Sequence, residues 1–412
     1  MSKSQEFSIF TLSNGLRVVH KQVDRAVAHC GIMINAGTRD ELEDENGIAH
    51  FIEHAIFKGT TRRRAYHILN RLDSVGGEID AYTTKENTCF NASFLTEYYD
   101  RAIELIADIT LNSSFPEKEL EKEKEVVLDE INVYQDSPSD QIYDDFEAQV
   151  YENHALGNPI LGTAKSVKQI NKAAIQKYMS RLYQTENMVF SSVGNISEKR
   201  LKNRLEKHFG NFNNNSFHQE RIDFKPNTPK KVQEKKATYQ THCMMGKAVM
   251  GANDPKRTNF ILLNNILGGP AMNSILNLKI REKYGFTYNI ESNYSMYSDT
   301  GLFSIYLASD PKYMERCVKA TNKELKILRT KKLSSSKLNQ AKQQLKGQLA
   351  ISRESNSSLM LSYAKSLLLH NKINTLAKIY QRVDEISASD ILEMSNLHFN
   401  MDEFDFLYYN GQ

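Results

Sequence analysis

Between Ala49 and Thr60 the chain reads AHFIEHAIFKGT, which sets His50, Glu53 and His54 close together in an otherwise apolar stretch. On an α-helix each residue advances by about 100°, so His54 lies about 40° from His50 and one turn further on, and both rings can reach one point. Glu53 lies about 60° to the other side of His50, within reach of whatever sits there. Two neutral imidazoles suit zinc, and a carboxylate beside them is placed to take a proton from a bound water. The order H-x-x-E-H inverts the H-E-x-x-H zinc pattern. The plainer reading is an amphipathic helix with surface histidines and an i,i+3 pair, and the motif by itself leaves both open.

A zinc that does chemistry asks for a third protein ligand and an open position. The segment PEKELEKEKEVVLDEI offers Glu123 and Glu130, two turns apart and so nearly on one face, with Val126 and Val127 able to anchor the helix in a core. A carboxylate against an apolar wall is costly unless it is paired or metal-bound. Helices this rich in Glu and Lys ordinarily carry solvated carboxylates, however, and periodicity alone does not choose Glu130 over its neighbours.

The elements that must position these residues are read from pattern. FSIFTLSNGLRVVHKQV holds two β-rich runs around Ser13-Asn14-Gly15, a hairpin signal, and VAHCGIMINAG is a third strand. Ile48, Phe51, Ile52, Ala55 and Ile56 recur at helical spacing, with Gly59 as the expected stop. A second helix is expected over 62–75, a hairpin turning near Lys85-Glu86-Asn87, helices over 97–111 and 116–135, another near 168–182, and a strand at NMVFSSVG. DQIYDDFEAQVY receives no assignment. Residues 213–236, polar and rich in lysine, read as a linker. Beyond it a strand, a helix, a strand pair, helices over 311–329, 334–353 and 357–369, and a last strand FDFLYYNG follow in similar order. This suggests a duplicated domain.

Composition bounds the function. The 412 residues suit two or three domains, and 40% hydrophobic content supplies real cores. With 53 basic and 50 acidic residues, near-balance argues against nucleic acid or a membrane surface as partner. No apolar run is long enough to span a bilayer. The four cysteines form no C-x-x-C pair and read as buried reduced thiols. The start MSKSQEFSIFTLSNG shows no signal peptide or import presequence, so a cytoplasmic place is expected.

Taken together, GTRDELEDENGIAHFIEHAIFKGT, VGGEIDAYTTKENTCF, EKEKEVVLDEI, ALGNPILGT, NMVFSSVGN and LGGPAMNSILNLKIREKYGFTYNI give the chain a resemblance to the pitrilysin/insulinase family of inverted-motif zinc peptidases. It is most similar to the short-chain branch that holds mitochondrial processing peptidase and its bacterial relatives. The resemblance implies an α+β fold of two homologous domains, each a mainly antiparallel sheet with helices packed on one face, forming half of a clam-shell. The domains are expected at 1–212 and 237–412, joined by the linker 213–236. It implies one zinc per chain on His50, His54 and Glu130, with Glu53 as the base and Glu123 supporting the site from behind. Arg281 and Tyr288 match an Arg/Tyr pair that acts on the bound peptide near the scissile carbonyl, a role their donor groups suit. DAYTTKENTCF matches the edge strand that holds an extended peptide. A peptide substrate, pairing with a second copy of the chain and a bacterial source are also expected.

Two departures stand out. The family's glycine-rich turn often continues with a third glycine and a Ser-Arg pair, whereas this chain reads Gly268-Gly269-Pro270-Ala271-Met272-Asn273-Ser274-Ile275. The second half holds only His242, His370 and His398 and no H-x-x-E-H, so no second zinc is expected there. The rival reading is a catalytically inactive, structural or peptide-holding subunit, which typically lacks part of the motif; here every element is present.

Overall fold

The computed structural model describes residues 6–212 and 220–411. Its chain forms two compact units that interleave in sequence. The first takes the chain up to Asn132, then Asn158–Arg221 and Ile351–Ile373; the second takes Val133–Gly157, Ile222–Ala350 and the chain from Asn374 onward.

The first unit is built on six strands: β1 (Ser8–Thr11), β2 (Arg17–Gln22), β3 (Val27–Ile34), β4 (Glu78–Thr83), β5 (Thr88–Leu95) and β6 (Met188–Gly194). Their spatial order is β1-β2-β6-β3-β5-β4. All neighbours are antiparallel except β2 and β6, which run parallel. The expected hairpins are both present, β1–β2 around Asn14-Gly15 and β4–β5 around 84–87. Side chains alternate across a strand. Ala28, Cys30, Ile32 and Ile34 of β3, with Phe90, Ala92 and Phe94 of β5, therefore face one way, into the main helical layer. Val19, Met33, Cys89, Val189 and Val193 face the other way. That second face is covered by the helix Asn356–His370, whose Leu359, Met360, Tyr363, Ala364 and Leu367 form a helical stripe.

The second unit repeats the plan. Strands β7 (Lys231–Lys235), β8 (Thr241–Met250), β9 (Thr287–Met296), β10 (Thr300–Ser309) and β11 (Asp405–Asn410) lie in the order β7-β11-β8-β10-β9. The pair β7/β11 is parallel and the rest antiparallel. This is the β2-β6-β3-β5-β4 pattern strand for strand. Cys243, Met245, Phe303, Ile305 and Leu307 face the helices, and Met244, Leu302, Tyr306, Leu407 and Tyr409 face the helix Pro138–Val150 through Ile142, Phe146 and Val150. The duplication expected from element order is thus a duplication of topology.

Several local expectations are corrected. The histidine helix ends at Ala55, and Gly59 sits in an isolated bridge to Arg64 instead of capping it. The helix near 168–182 is two, Ala164–Gln169 and Lys172–Leu182, each started by its own side-chain cap, Thr163 and Asn171. The stretch 213–236 is not all linker: β7 lies inside it and pairs with β11, while 213–219 fall outside the described residues. Each unit also takes one helix from the other half of the chain, which a cut at 213–236 does not anticipate. DQIYDDFEAQVY is that helix for the second unit.

In the second core His398 is only 7% exposed, and neither ring nitrogen has a hydrogen-bond partner among the described residues. Its ring packs edge-on against Phe260. Burial, aided by Lys247, pushes its pKa down to about 4. A folded pKa below the unfolded one means stability that is present above pH 6.5 and is lost as pH falls toward 4. Replacing His398 by leucine removes this dependence. Urea unfolding should show the variant gaining on the wild type by about 3 kcal/mol at most between pH 7 and pH 4; parallel curves across that range would refute the assignment.

Candidate metal centre

The histidine helix, Ile48–Ala55, buries Ile48, Ala49, Phe51, Ile52 and Ala55 in the first core. Its remaining face can carry only His50, Glu53 and His54. Its start is unusual. Gly47 adopts φ +87°, a left-handed conformation that suits glycine, and a β-carbon there would meet Gly162 at 2.7 Å. No side chain at Gly47 can cap the helix. Instead Glu41 does so from upstream: one carboxylate oxygen accepts the Ala49 N–H and the other the Gly47 N–H, both at 2.9 Å. Glu41 is fully enclosed, and burial pushes its carboxyl well above the usual carboxylate range.

The second helix of the site is Glu117–Gln135. Leu120, Glu123, Lys124, Val127 and Ile131 are its buried residues, which turns Glu130 toward the histidines. His54 and Glu123 meet at 2.9 Å, Nδ1 to Oε1. A carboxylate only accepts, so Nδ1 carries the hydrogen and Nε2 is left with its lone pair free. The other Glu123 oxygen meets the Lys58 ammonium at 2.6 Å. Burial alone would raise the Glu123 carboxyl, but His54 and Lys58 together hold it below its ordinary value.

The His54 Nε2 lies 3.4 Å from Glu130 Oε2, and the His50 Nε2 lies 3.7 Å from the same oxygen. One donor atom from each of His50, His54 and Glu130 falls within 4.8 Å of the others, the only such triad among the described residues. Ligands at about 2.1 Å in a tetrahedron stand about 3.4 Å apart, so the edges to Glu130 match what a zinc ion asks. Burial, with His54 nearby, pushes His50 down to about 3, so its ring is neutral and able to bind a cation. At His54 burial acts downward and is outweighed by Glu123, Glu130 and Glu53, which raise it.

Glu53 stands beside the triad at the wall of an open cleft of about 350 Å³. Burial raises its carboxyl, while the Thr83 hydroxyl and His54 pull it down. A raised carboxyl is suited to taking and returning a proton near neutrality. The rest of the cleft is mostly apolar: Phe57, Ala65, Leu69, Ile79 and Ala81, with Asp80 at the side. Ile79, Asp80 and Ala81 belong to β4, the outer strand of its sheet, which among the described residues pairs with β5 alone. The β4–β5 turn is anchored by ion pairs from Arg39 to Glu86 at 2.7 Å and from Arg221 to Glu86 at 3.4 Å.

The structure therefore brings together five of the seven residues singled out in the sequence. Arg281 and Tyr288 lie in the second unit, adjacent to each other, with the guanidinium carbon 5.2 Å from the ring centroid. Tyr288, at the start of β9, is 81% exposed. Sequence reasoning misses Lys58 and Glu41. Lys58 lies four residues after His54 in FIEHAIFKGT, Phe51 to Thr60, a spacing that could have suggested it. Glu41 sits in a polar loop with nothing to mark it.

Removing the Glu41 carboxylate leaves two buried N–H groups without an acceptor, at about 1–3 kcal/mol each. Glu41→Ala should lower the thermal midpoint by several degrees, with Glu41→Gln falling between it and the wild type. An unchanged midpoint for Glu41→Ala would show that the helix start is held some other way.

Comparison with known proteins places the chain among relatives. Residues 17–164 match the insulinase model of peptidase family M16, and residues 169–345 match the model of the M16 inactive domain. The chain is 35% identical to a Bacillus subtilis protein named as an uncharacterized zinc protease, YmxG, over 94% of each chain. It is 32% identical to a zinc protease so named in Rickettsia felis, over 96% of each. A Helicobacter pylori protease structure superposes with a TM-score of 0.92 at 21% identity, covering 99% of this chain and 100% of that one. An M16 inactive-domain structure from Pseudomonas fluorescens gives 0.91 at 18%, covering 99% of each. At such identities the structures speak for the fold alone. The family models and the sequence relatives, on a chain whose helices present the inverted motif to a third carboxylate, make this protein a member of the insulinase family of peptidases, family M16.

Proposed function

We propose that the protein is a zinc endopeptidase that hydrolyses extended peptides, with one zinc per chain held by His50, His54 and Glu130. The observation that carries this reading is the converging triad with Glu53 beside it at an open cleft. His50, His54 and Glu130 would hold the zinc, which would supply Lewis acidity toward a water and a peptide carbonyl. The remaining work falls to the chain. Glu53 accepts the proton of the attacking water on its carboxylate and returns it to the leaving amine. Glu123 keeps the His54 ring oriented through Nδ1–H, and Lys58 keeps Glu123 charged. The free side of β4 offers backbone N–H and C=O groups to an extended peptide. Arg281 and Tyr288 act as donors to the peptide backbone, the protein works as a homodimer in the cytoplasm, and the inactive-subunit reading has no specific feature in its favour. No helix among the described residues is long and apolar enough to cross a membrane.

Metal analysis of purified protein should find one zinc per chain, and cleavage of a mixed peptide library should stop on chelation. Glu53→Gln should retain that zinc and lose at least about 100-fold in turnover. A zinc-loaded Glu53→Gln enzyme with wild-type activity would remove Glu53 from the mechanism.

The cleft also bears on specificity. Its walls accept a large apolar side chain next to the cleaved bond. Ala65→Leu narrows it, so cleavage-site mapping should show kcat/KM for large apolar residues dropping about tenfold or more relative to alanine. An unchanged preference would place the side-chain pocket elsewhere.

A further inference from the structure

The tip of the β4–β5 hairpin is buried, which a tip of polar residues ordinarily is not. Lys85, Glu86 and Asn87 are 4%, 4% and 5% exposed. Part of the cover is the loop that leads to the histidine helix. The Thr38 N–H donates to the Thr84 carbonyl at 3.3 Å, and the Arg39 N–H to the Lys85 carbonyl at 2.7 Å. Another part is Arg221, which stands 135 positions after Glu86. Arg221 falls within the stretch whose composition reads as linker, and it is the last residue of the first unit.

Its guanidinium is engaged on each side. Nε donates to Asp40 Oδ1 and Nη2 to Asp40 Oδ2, both at 2.8 Å. Nη2 also meets Asn35 Oδ1 and the Glu86 carbonyl oxygen, both at 3.0 Å. Nη1 lies 3.4 Å from Glu86 Oε1. The Arg221 side chain is 13% exposed and that of Asp40 is fully buried. A planar fork serves such a spread of acceptors, and the point charge of a lysine does not.

We infer that Arg221 is a positioning residue for the peptide substrate, an inference that rests on the metal centre being a peptidase site. It fixes the β4–β5 turn against the loop 37–41, and so sets the free edge of β4 relative to the histidine helix. Strand β5 is held between β3 and β4, whereas β4 is the outer strand and gains its second anchor through the turn. Asp40, which the guanidinium grips, accepts the Gly37 N–H at 2.9 Å. It also directly precedes Glu41, whose carboxylate caps the histidine helix. One side chain therefore ties the edge that receives a peptide to the loop that starts the metal-bearing helix.

An added strand needs N–H to O=C distances near 2.9 Å at each successive pair. Freedom at the turn weakens such pairing cumulatively along a long peptide. It matters little to a short peptide held by the cleft and the metal alone. β4 has six residues and runs about 20 Å at ~3.3 Å per residue, so a peptide of about ten residues pairs along all of it and a blocked one of about four does not.

The test compares the wild type with Arg221→Gln and with Asp40→Asn/Arg221→Gln. The double variant removes the buried, unpaired charge that the single one leaves, and carries the test if Arg221→Gln fails to fold. Both peptides share one cleaved bond. The variants should hold zinc as the wild type does. On the long peptide KM should rise about tenfold with kcat changed less than about threefold, and on the short one kcat/KM should stay within about twofold. Hydrogen exchange of the amides of residues 78–87 should speed up by about tenfold or more. Equal losses on the two peptides would reduce Arg221 to general stability and overturn the inference. Unchanged KM on the long peptide, or unchanged exchange, would overturn it as well, with the peptidase reading left standing. A wild-type protein that takes up no zinc and cuts neither peptide would overturn the peptidase reading and this inference with it.

Discussion

The Glu123 carboxylate is the tie on which the metal centre depends. One oxygen accepts the His54 Nδ1–H at 2.9 Å and the other meets Lys58 at 2.6 Å. It is 5% exposed. A carboxylate buried that deeply without partners would cost several kcal/mol and would protonate to escape the cost. Here a ring N–H and an ammonium offset the burial and keep it charged. The consequence travels outward. Fixing the hydrogen on Nδ1 leaves the Nε2 lone pair facing Glu130. Holding Lys58, beyond the end of the histidine helix, ties the following loop to the glutamate helix as well. One side chain thus fixes a tautomer, a ring orientation and the separation of two helices.

The other end of the histidine helix is held by the same kind of device. Glu41 accepts two backbone N–H groups at the start of the helix, and the helix has only eight residues, Ile48–Ala55. An isolated helix of that length does not persist in water. Its apolar face supplies adhesion to the core, while the carboxylates at its two ends set rotation and position. A buried apolar stripe tolerates small slips, since hydrophobic burial has no direction. Hydrogen bonds at about 2.9 Å do not tolerate them. The accuracy of the centre therefore comes from polar contacts, and its stability from apolar ones.

This division also explains what could be read in advance. Apolar periodicity announced the histidine helix, the strands with alternating burial and the main helices, because each buries one face. H-x-x-E-H announced its own geometry through helical spacing. Glu130 could not be chosen from the residues alone, since EKELEKEKEVVLDEI places carboxylates on every side and only the packing of Leu120, Val127 and Ile131 decides which one turns inward. Lys58 is hidden for a similar reason, since its partner Glu123 lies far along the chain; Glu41 acts on the nearby Gly47 and Ala49 N–H groups from a polar loop whose composition does not mark it. The helices Glu198–Phe209, Leu376–Glu385 and Ala388–His398 are not among the elements expected from pattern, although Leu201, Leu205 and Phe209 carry a clear stripe. The strand β7 was obscured because its exposed KVQEK looks like linker and is ordered only by pairing with β11.

The helix exchange has an energetic meaning for the site. Val19, Met33, Cys89, Val189 and Val193 form one face of the first sheet, and that face is closed by residues 356–370 from the far end of the chain. Fully burying one such side chain is worth about 1.5–3 kcal/mol. The five residues and the helical stripe above them are together worth on the order of 10 kcal/mol, comparable with the whole net stability of a typical domain. The sheet that carries β4, and the helices whose apolar faces rest on its other side, share this closure. The first half of the chain holds every residue of the metal triad but not the cover its own sheet needs. Reciprocally, the second sheet is closed by Pro138–Val150, which follows the glutamate helix in sequence. The centre is local in its contacts and belongs to the entire chain in its energetics.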